Sequence, residues 1–170
     1  MKSIVFPNIS LDGKQLQYKD EHKYLGVIIC DTLCDDLDIL QVKATYARGN
    51  ALISRFRKCD DDVKVKLFKS FCNSFYGCNN WSSYHKSALQ KLKSAYGRVF
   101  RQLFKVQDKL LTSLTMVQLA VDPVAVLVRK MAGSFYRRLL CSENQIIINV
   151  VQSMYFCDSS LFKLWERILF

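Results

Sequence analysis

His22-Lys23-Tyr24-Leu25-Gly26-Val27-Ile28-Ile29-Cys30 is the stretch on which the fold turns. Six of its nine residues are apolar or aromatic and Val27-Ile28-Ile29 is β-branched, so residues 23–29 read as a buried strand. Gly26 interrupts it, as a glycine does at a bulge or where another backbone comes close. Upstream, residues 3–9 are β-prone. Leu11-Asp12-Gly13-Lys14 carries the Asp-Gly pair that a type I′ hairpin turn demands, because both central residues need positive φ. Residues 15–18 would form the returning strand.

Beyond Asp31 the apolar period changes from two to about 3.6, the helical value. Asp35-Asp36 place two acids at the positive end of a helix that runs to about Lys58, with Gly49-Asn50 as a pinch or break. Asp60-Asp61-Asp62 cap a second helix, whose inner face is Val65, Phe68, Cys72 and Phe75. A loop at 77–83 leads to a third, starting at Ser83 or Tyr84, with a seam of Leu92, Tyr96, Val99 and Leu103. Further helices are expected over 112–120, 123–141 (Pro123 in the first turn), 143–156 and 159–169. The fold class is therefore α+β, mostly α: a small antiparallel hairpin region followed by a helical bundle and further helices. Three parts are expected, over 1–33, 34–106 and 107–170.

The net charge of +10 is unevenly spread. Residues 1–40 are net −3; residues 41–105 hold 14 basic and 3 acidic side chains, net +11; residues 106–170 are net +2. A positive field confined to three helices suits a polyanion. Its candidates for phosphate contact are Arg48, Arg55 and Lys58 on the first helix, Lys66 and Lys69 on the second, and Lys91, Arg98, Arg101 and Lys105 on the third. Any one stripe alone reads as a solvated face, but three consecutive helices with this excess favour a nucleic-acid backbone. Most aromatics fall on inner faces and read as core. Phe100 and Phe104, flanking the basic stripe, are the better candidates for stacking on bases.

Seven cysteines form no even framework, and residues 1–6 run into Pro7 without an apolar leader core. An intracellular, cytoplasmic or nuclear, reduced protein is expected, neither secreted nor in a membrane. The cysteines show no metal-binding spacing, His22 and His85 have no nucleophile motif beside them, and the carboxylates at 35–38 and 60–62 read as helix caps. No catalytic residue, metal ligand or cofactor site is expected within the chain.

The order of these features is similar to the C-terminal part of the reverse transcriptase of non-LTR (LINE-like) retrotransposons, of the kind related to the jockey and CR1 groups. The residues that carry the resemblance are Lys2-Ser3-Ile4-Val5-Phe6, the Asp-Gly turn, His22 to Ile29, Ile39-Leu40-Gln41-Val42-Lys43, Ala47-Arg48-Gly49-Asn50-Ala51-Leu52, Val63 to Cys72 and Tyr76-Gly77-Cys78-Asn79-Asn80-Trp81. It continues to Phe135-Tyr136-Arg137-Arg138-Leu139-Leu140.

The resemblance implies that Lys2 matches the palm lysine and that Tyr24, Leu25 and Gly26 match the primer-grip hairpin. Gly26 would let a sugar-phosphate backbone approach. The helices from Asp35 to Lys105 would be the thumb, and 107–170 a helical extension. The family's two divalent magnesium ions sit on a YADD-type turn in the palm, and no such motif occurs in these 170 residues. The chain is thus expected to have no polymerase activity of its own, and at most to bind an RNA–DNA hybrid or primer–template by its backbone. The face that meets palm and fingers in the family would be open to self-association. The alternative is a helical protein-interaction or structural module with no nucleic-acid role, and a third reading is a polymerase split between chains.

Overall fold

A computed structural model describes residues 9–44, 46 and 49–169. The element order is β1 (Ser10–Leu11), β2 (Lys14–Gln15), β3 (Glu21–Tyr24), β4 (Val27–Cys30), α1 (Asp36–Ala44), α2 (Gly49–Phe56), α3 (Asp61–Cys72), a 3-10 turn (Cys78–Asn80), α4 (Lys86–Phe104), α5 (Lys109–Gln118), α6 (Val124–Leu140), α7 (Gln145–Gln152), α8 (Met154–Asp158) and α9 (Ser160–Leu169). The class is α+β and mostly α. The expected strand at 3–9 lies, Ile9 apart, outside the described residues.

Two antiparallel hairpins come first among the described residues. In the first, Ser10 pairs with Gln15 and Leu11 with Lys14. Asp12 and Gly13 sit at φ 49° and 75°, as the type I′ turn requires.

The second hairpin corrects the reading of residues 23–29 as one buried strand. Glu21 pairs with Cys30 and Tyr24 with Val27, and Leu25-Gly26 is a two-residue turn. Both turn residues have positive φ, 47° and 89°, so the chain reverses where the apolar pattern suggested continuity. Leu25 accepts a conformation that costs a residue with a Cβ about 1–2 kcal/mol. Among the described residues this sheet has two strands; every residue of β3 is exposed, and Ile29 on β4 is exposed as well.

The segment expected as one helix to Lys58 is two, α1 and α2. Gly49 is the first residue of α2, and a Cβ there would lie 2.6 Å from Cγ1 of Val99 on α4. Its missing side chain lets α2 and α4 pack closely. The core joins Ile39, Val42, Tyr46 and Leu52 to Phe68, Phe75, Trp81, Leu92, Tyr96, Val99, Phe100 and Leu103, and continues through Met116, Val121, Val124 and Leu127. Phe68 on α3 meets Tyr96 and Phe100 of α4 edge to face, with centroids 5.1 and 5.5 Å apart. The Tyr96 hydroxyl donates to the carbonyl of Asp122 at 2.7 Å, tying α4 to the segment before α6. A second aromatic group gathers on Trp165, which meets Phe135, Tyr136 and Phe156. Its indole N–H donates to the carbonyl of Asn79 at 3.0 Å. The expected helix over 143–156 is broken at Ser153, whose hydroxyl accepts from the amide of Phe156 and caps α8. No helix among the described residues is long and apolar enough to cross a membrane.

Asp38 is the most deeply buried polar residue among those described. It is 1% exposed, and its carboxyl accepts from the Trp81 indole at 2.7 Å and from the Ile28 amide at 3.4 Å. Asp38→Ala leaves the indole N–H without this acceptor in a closed interior. The expected loss is about 3 kcal/mol of unfolding free energy, read by urea denaturation with tryptophan fluorescence. A loss below about 0.5 kcal/mol would show that the bond is dispensable.

Candidate nucleic-acid interface

The basic residues do not act as one surface. α1 and α2 lie against α4, and between them runs a cleft of about 720 Å³ lined by Lys43, Asn50, Gln90, Lys91, Arg98 and Gln102 among others. Lys91 and Arg98, seven apart, point the same way from α4 because seven residues complete nearly two turns. Lys43 faces them from the last turn of α1. Among the described residues, the lining contains no carboxylate. Three cations among amide and hydroxyl side chains therefore act together, with no internal ion pair to neutralise them.

Of the nine basic positions expected from sequence, Lys91 and Arg98 line the cleft. Arg101 does not: its guanidinium folds back to within 3.3 Å of the place where a Cβ on Gly97 would stand. Lys105 leaves the stripe because it closes α4 in the left-handed region, at φ 56°. Arg55 and Lys58 are exposed at the end of α2 and in the turn after it, and Lys66 and Lys69 are exposed on α3; none of the four lines the cleft. Arg48 and Lys2 lie outside the described residues.

Phe100 is fully buried, which corrects the expectation that it stacks on bases, and the half-buried Phe104 packs on it with centroids 4.7 Å apart. Their rings complete the contact with Phe68. Lys43, which sequence reasoning passed over, belongs to the charged middle third but lies on no stripe. Only the crossing of α1 over α4 gives it neighbours.

At the tip of the second hairpin, Tyr24 and Leu25 are exposed and line a groove of about 740 Å³ with Ile29, Leu33 and Tyr76. Gly26 faces the Tyr76 ring, which a Cβ would meet at 3.3 Å. The turn's positive φ and this ring give Gly26 its reason.

The acids at 35–38 do more than cap a helix. The Asp35 carboxylate accepts the amides of Ser82 and Ser83 at 2.7 and 2.8 Å, while its own amide donates to the Ser83 carbonyl. Burial raises its pKa above the usual carboxylate value, and these two amides oppose that rise without cancelling it. Asp36 accepts from the His85 amide at 2.8 Å and meets its ring Nδ1 at 2.6 Å. What burial it has raises its pKa, but the His85 contacts outweigh it and the net direction is down. These bonds fix the loop between the 3-10 turn and α4, and so the approach of α4 to α1. The signal was available in sequence: Asp38 sits next to Ile39 and four residues before Val42, on the apolar side of α1. By contrast Asp60, the N-cap of α3, makes no side-chain cap bond.

Over 146 residues, 82% of its length, the chain is 23% identical to the RNA-directed DNA polymerase from mobile element jockey of Drosophila funebris. The chain is distantly similar to a reverse transcriptase. It spans 16% of that relative's own length. No protein-family model and no solved structure matches it.

Burial raises the thiols of Cys72 and Cys78 to about 12, leaving roughly one molecule in 10⁴ as thiolate at pH 8. Cys141 and Cys157 are exposed. Alkylation of the folded protein at pH 8, mapped by mass spectrometry, should mark Cys141 and Cys157 early and leave Cys72 and Cys78 unmodified until urea is added. Equal labelling of all four would mean that the α3–α4 core is open.

Proposed function

We propose that this chain is a primer-grip and thumb segment of a non-LTR reverse transcriptase, and that it holds an RNA–DNA or primer–template duplex by its backbone. The observation that carries this reading is the carboxylate-free cleft of Lys43, Lys91 and Arg98 within a segment of net charge +11. The distant similarity to the jockey polymerase supports it. Ammonium and guanidinium groups on two facing helices can neutralise successive phosphates, and the neighbouring Asn50, Gln90 and Gln102 can donate to sugar and phosphate oxygens. Contacts of this kind select charge and duplex shape, not base sequence. The exposed Tyr24-Leu25 tip is the matching candidate for the primer's end. Polymer synthesis is not assigned to these residues, which include no YADD turn.

Fluorescence anisotropy with an RNA–DNA hybrid tests the reading. Affinity should fall steeply with salt and be indifferent to base sequence. Neutralising Lys43, Lys91 and Arg98 together should lower the slope of log K against log salt by roughly 3, about one for each phosphate that no longer meets a cation. Neutralising Arg101 and Lys105 should change it less. Equal effects of the two sets, or no binding at low salt, would end the proposal.

A second reading, self-association or a protein partner, is favoured by α5. Its outer face carries Leu110, Leu114 and Val117, 82%, 61% and 78% exposed, while Thr112 is buried on the inner side. Met116 is buried beside Thr112, so α5 carries apolar residues on both faces, unlike an ordinary surface helix. Light scattering after size exclusion should show a concentration-dependent rise in mass that Leu114→Glu abolishes. A monomer at all concentrations would leave α5 without this role.

A further inference from the structure

Two neighbouring residues and one 49 positions further on bring a soft, a hard and a borderline donor together at the start of α1. Cys34 Sγ, an Asp36 carboxylate oxygen and a His85 ring nitrogen all lie within 4.8 Å of one another. We propose that Cys34, Asp36 and His85 bind one zinc ion, with water completing the coordination. This site goes beyond the nucleic-acid reading and does not depend on it.

The donor set decides the metal. Thiolate with imidazole suits zinc, whereas magnesium and calcium take oxygen donors almost alone. Tetrahedral zinc with bonds of about 2.3 Å to sulfur and about 2.0–2.2 Å to nitrogen and oxygen separates its ligands by roughly 3.3–3.7 Å. The three atoms need only small shifts to reach that spacing. The 2.6 Å contact between His85 Nδ1 and Asp36 opens slightly, and the ion takes the place of the hydrogen shared there. A thiolate and a carboxylate balance the charge of the ion. They also bring negative charge to the first turn of α1, whose dipole favours it.

Two further observations support the site. Cys34 and Asp36 line a second cleft, of about 790 Å³, where Asp20, Glu21 and Asp31 outweigh Lys19, so the approach is net acidic and open to a cation. The ligands are also held before any metal arrives. The Cys34 amide donates to Cys30 Sγ at 3.2 Å, and the Asp36 carboxylate is fixed by the His85 amide at 2.8 Å. Such outer contacts orient ligands in metal sites. Because Asp36 begins α1 and His85 is the N-cap of α4, the ion would cross-link the two helices that wall the basic cleft.

The spacing hid this site. Cys34 and Asp36 are two apart, but His85 lies 49 residues beyond Asp36. No compact motif spans that distance.

Cobalt(II), a spectroscopic substitute for zinc, is titrated into the full chain under reducing conditions. One equivalent should produce a thiolate-to-cobalt charge-transfer band in the near ultraviolet and tetrahedral d–d bands, and zinc should displace both. Cys34→Ser should abolish the charge-transfer band, whereas Cys141→Ser should leave it intact. His85→Ala, whose ring is 77% exposed and which should therefore fold normally, should weaken zinc binding by no less than the 10–100-fold typical of losing an outer contact. Thermal unfolding followed by circular dichroism checks that each variant is folded without metal. Zinc should raise the midpoint of the parent and not of Cys34→Ser. Absence of the charge-transfer band in the parent, its persistence in Cys34→Ser, or unchanged affinity in a folded His85→Ala would overturn the proposal.

Discussion

The carboxyl of Asp38, 1% exposed, accepts the indole N–H of Trp81 at 2.7 Å and the amide of Ile28 at 3.4 Å. That one group joins the second hairpin, α1 and the loop before α4, segments up to 53 residues apart in the chain (Ile28 to Trp81). A buried carboxyl is costly unless its lone pairs are used, so Asp38 admits few arrangements of its neighbours. Asp35 and Asp36 extend the same logic to the surface by holding Ser82, Ser83 and His85. The approach of α1 to α4 follows, and with it the cleft that faces Lys43 toward Lys91 and Arg98.

Close packing provides the second restraint. Gly49 lets α2 meet Val99 of α4 at a distance no side chain would allow, and Phe68 fills the space between α3 and α4. These contacts set how the charges are distributed. Cations on the side of α4 that faces α1 share a cleft, while those one step round the helix, or past its end, turn elsewhere. An excess of +11 thus resolves into one concentrated group and several isolated charges.

Much of the helical body was legible. The Leu92, Tyr96, Val99 and Leu103 seam is wholly buried, as are Phe68 and Cys72 with Val65 half-buried, because a 3.6-residue period records which face meets the core; Phe75 is buried too, but beyond the end of α3 at Cys72. The Asp-Gly turn was equally clear, since its backbone geometry is nearly a property of those two residues. Leu25-Gly26 was not. Leucine rarely takes positive φ, and β-branched residues after it looked like a continuing strand. The basic stripe was partly legible: Lys91 and Arg98 stayed together, but Arg101 folded onto Gly97 and Lys105 ended the helix.

The sequence by itself determined the class, the main helix faces, the first hairpin and the position of the charge, because each is a local or periodic property of the chain. Tertiary structure alone decided that Lys43 joins Lys91 and Arg98, that Phe100 is core, and that Cys34, Asp36 and His85 meet. Those outcomes depend on how helices cross, and crossing is set by groups such as Gly49 and Asp38 whose partners lie tens of residues away. No period in the chain encodes such pairings; they arise when buried polar groups must find partners and large side chains must fill space.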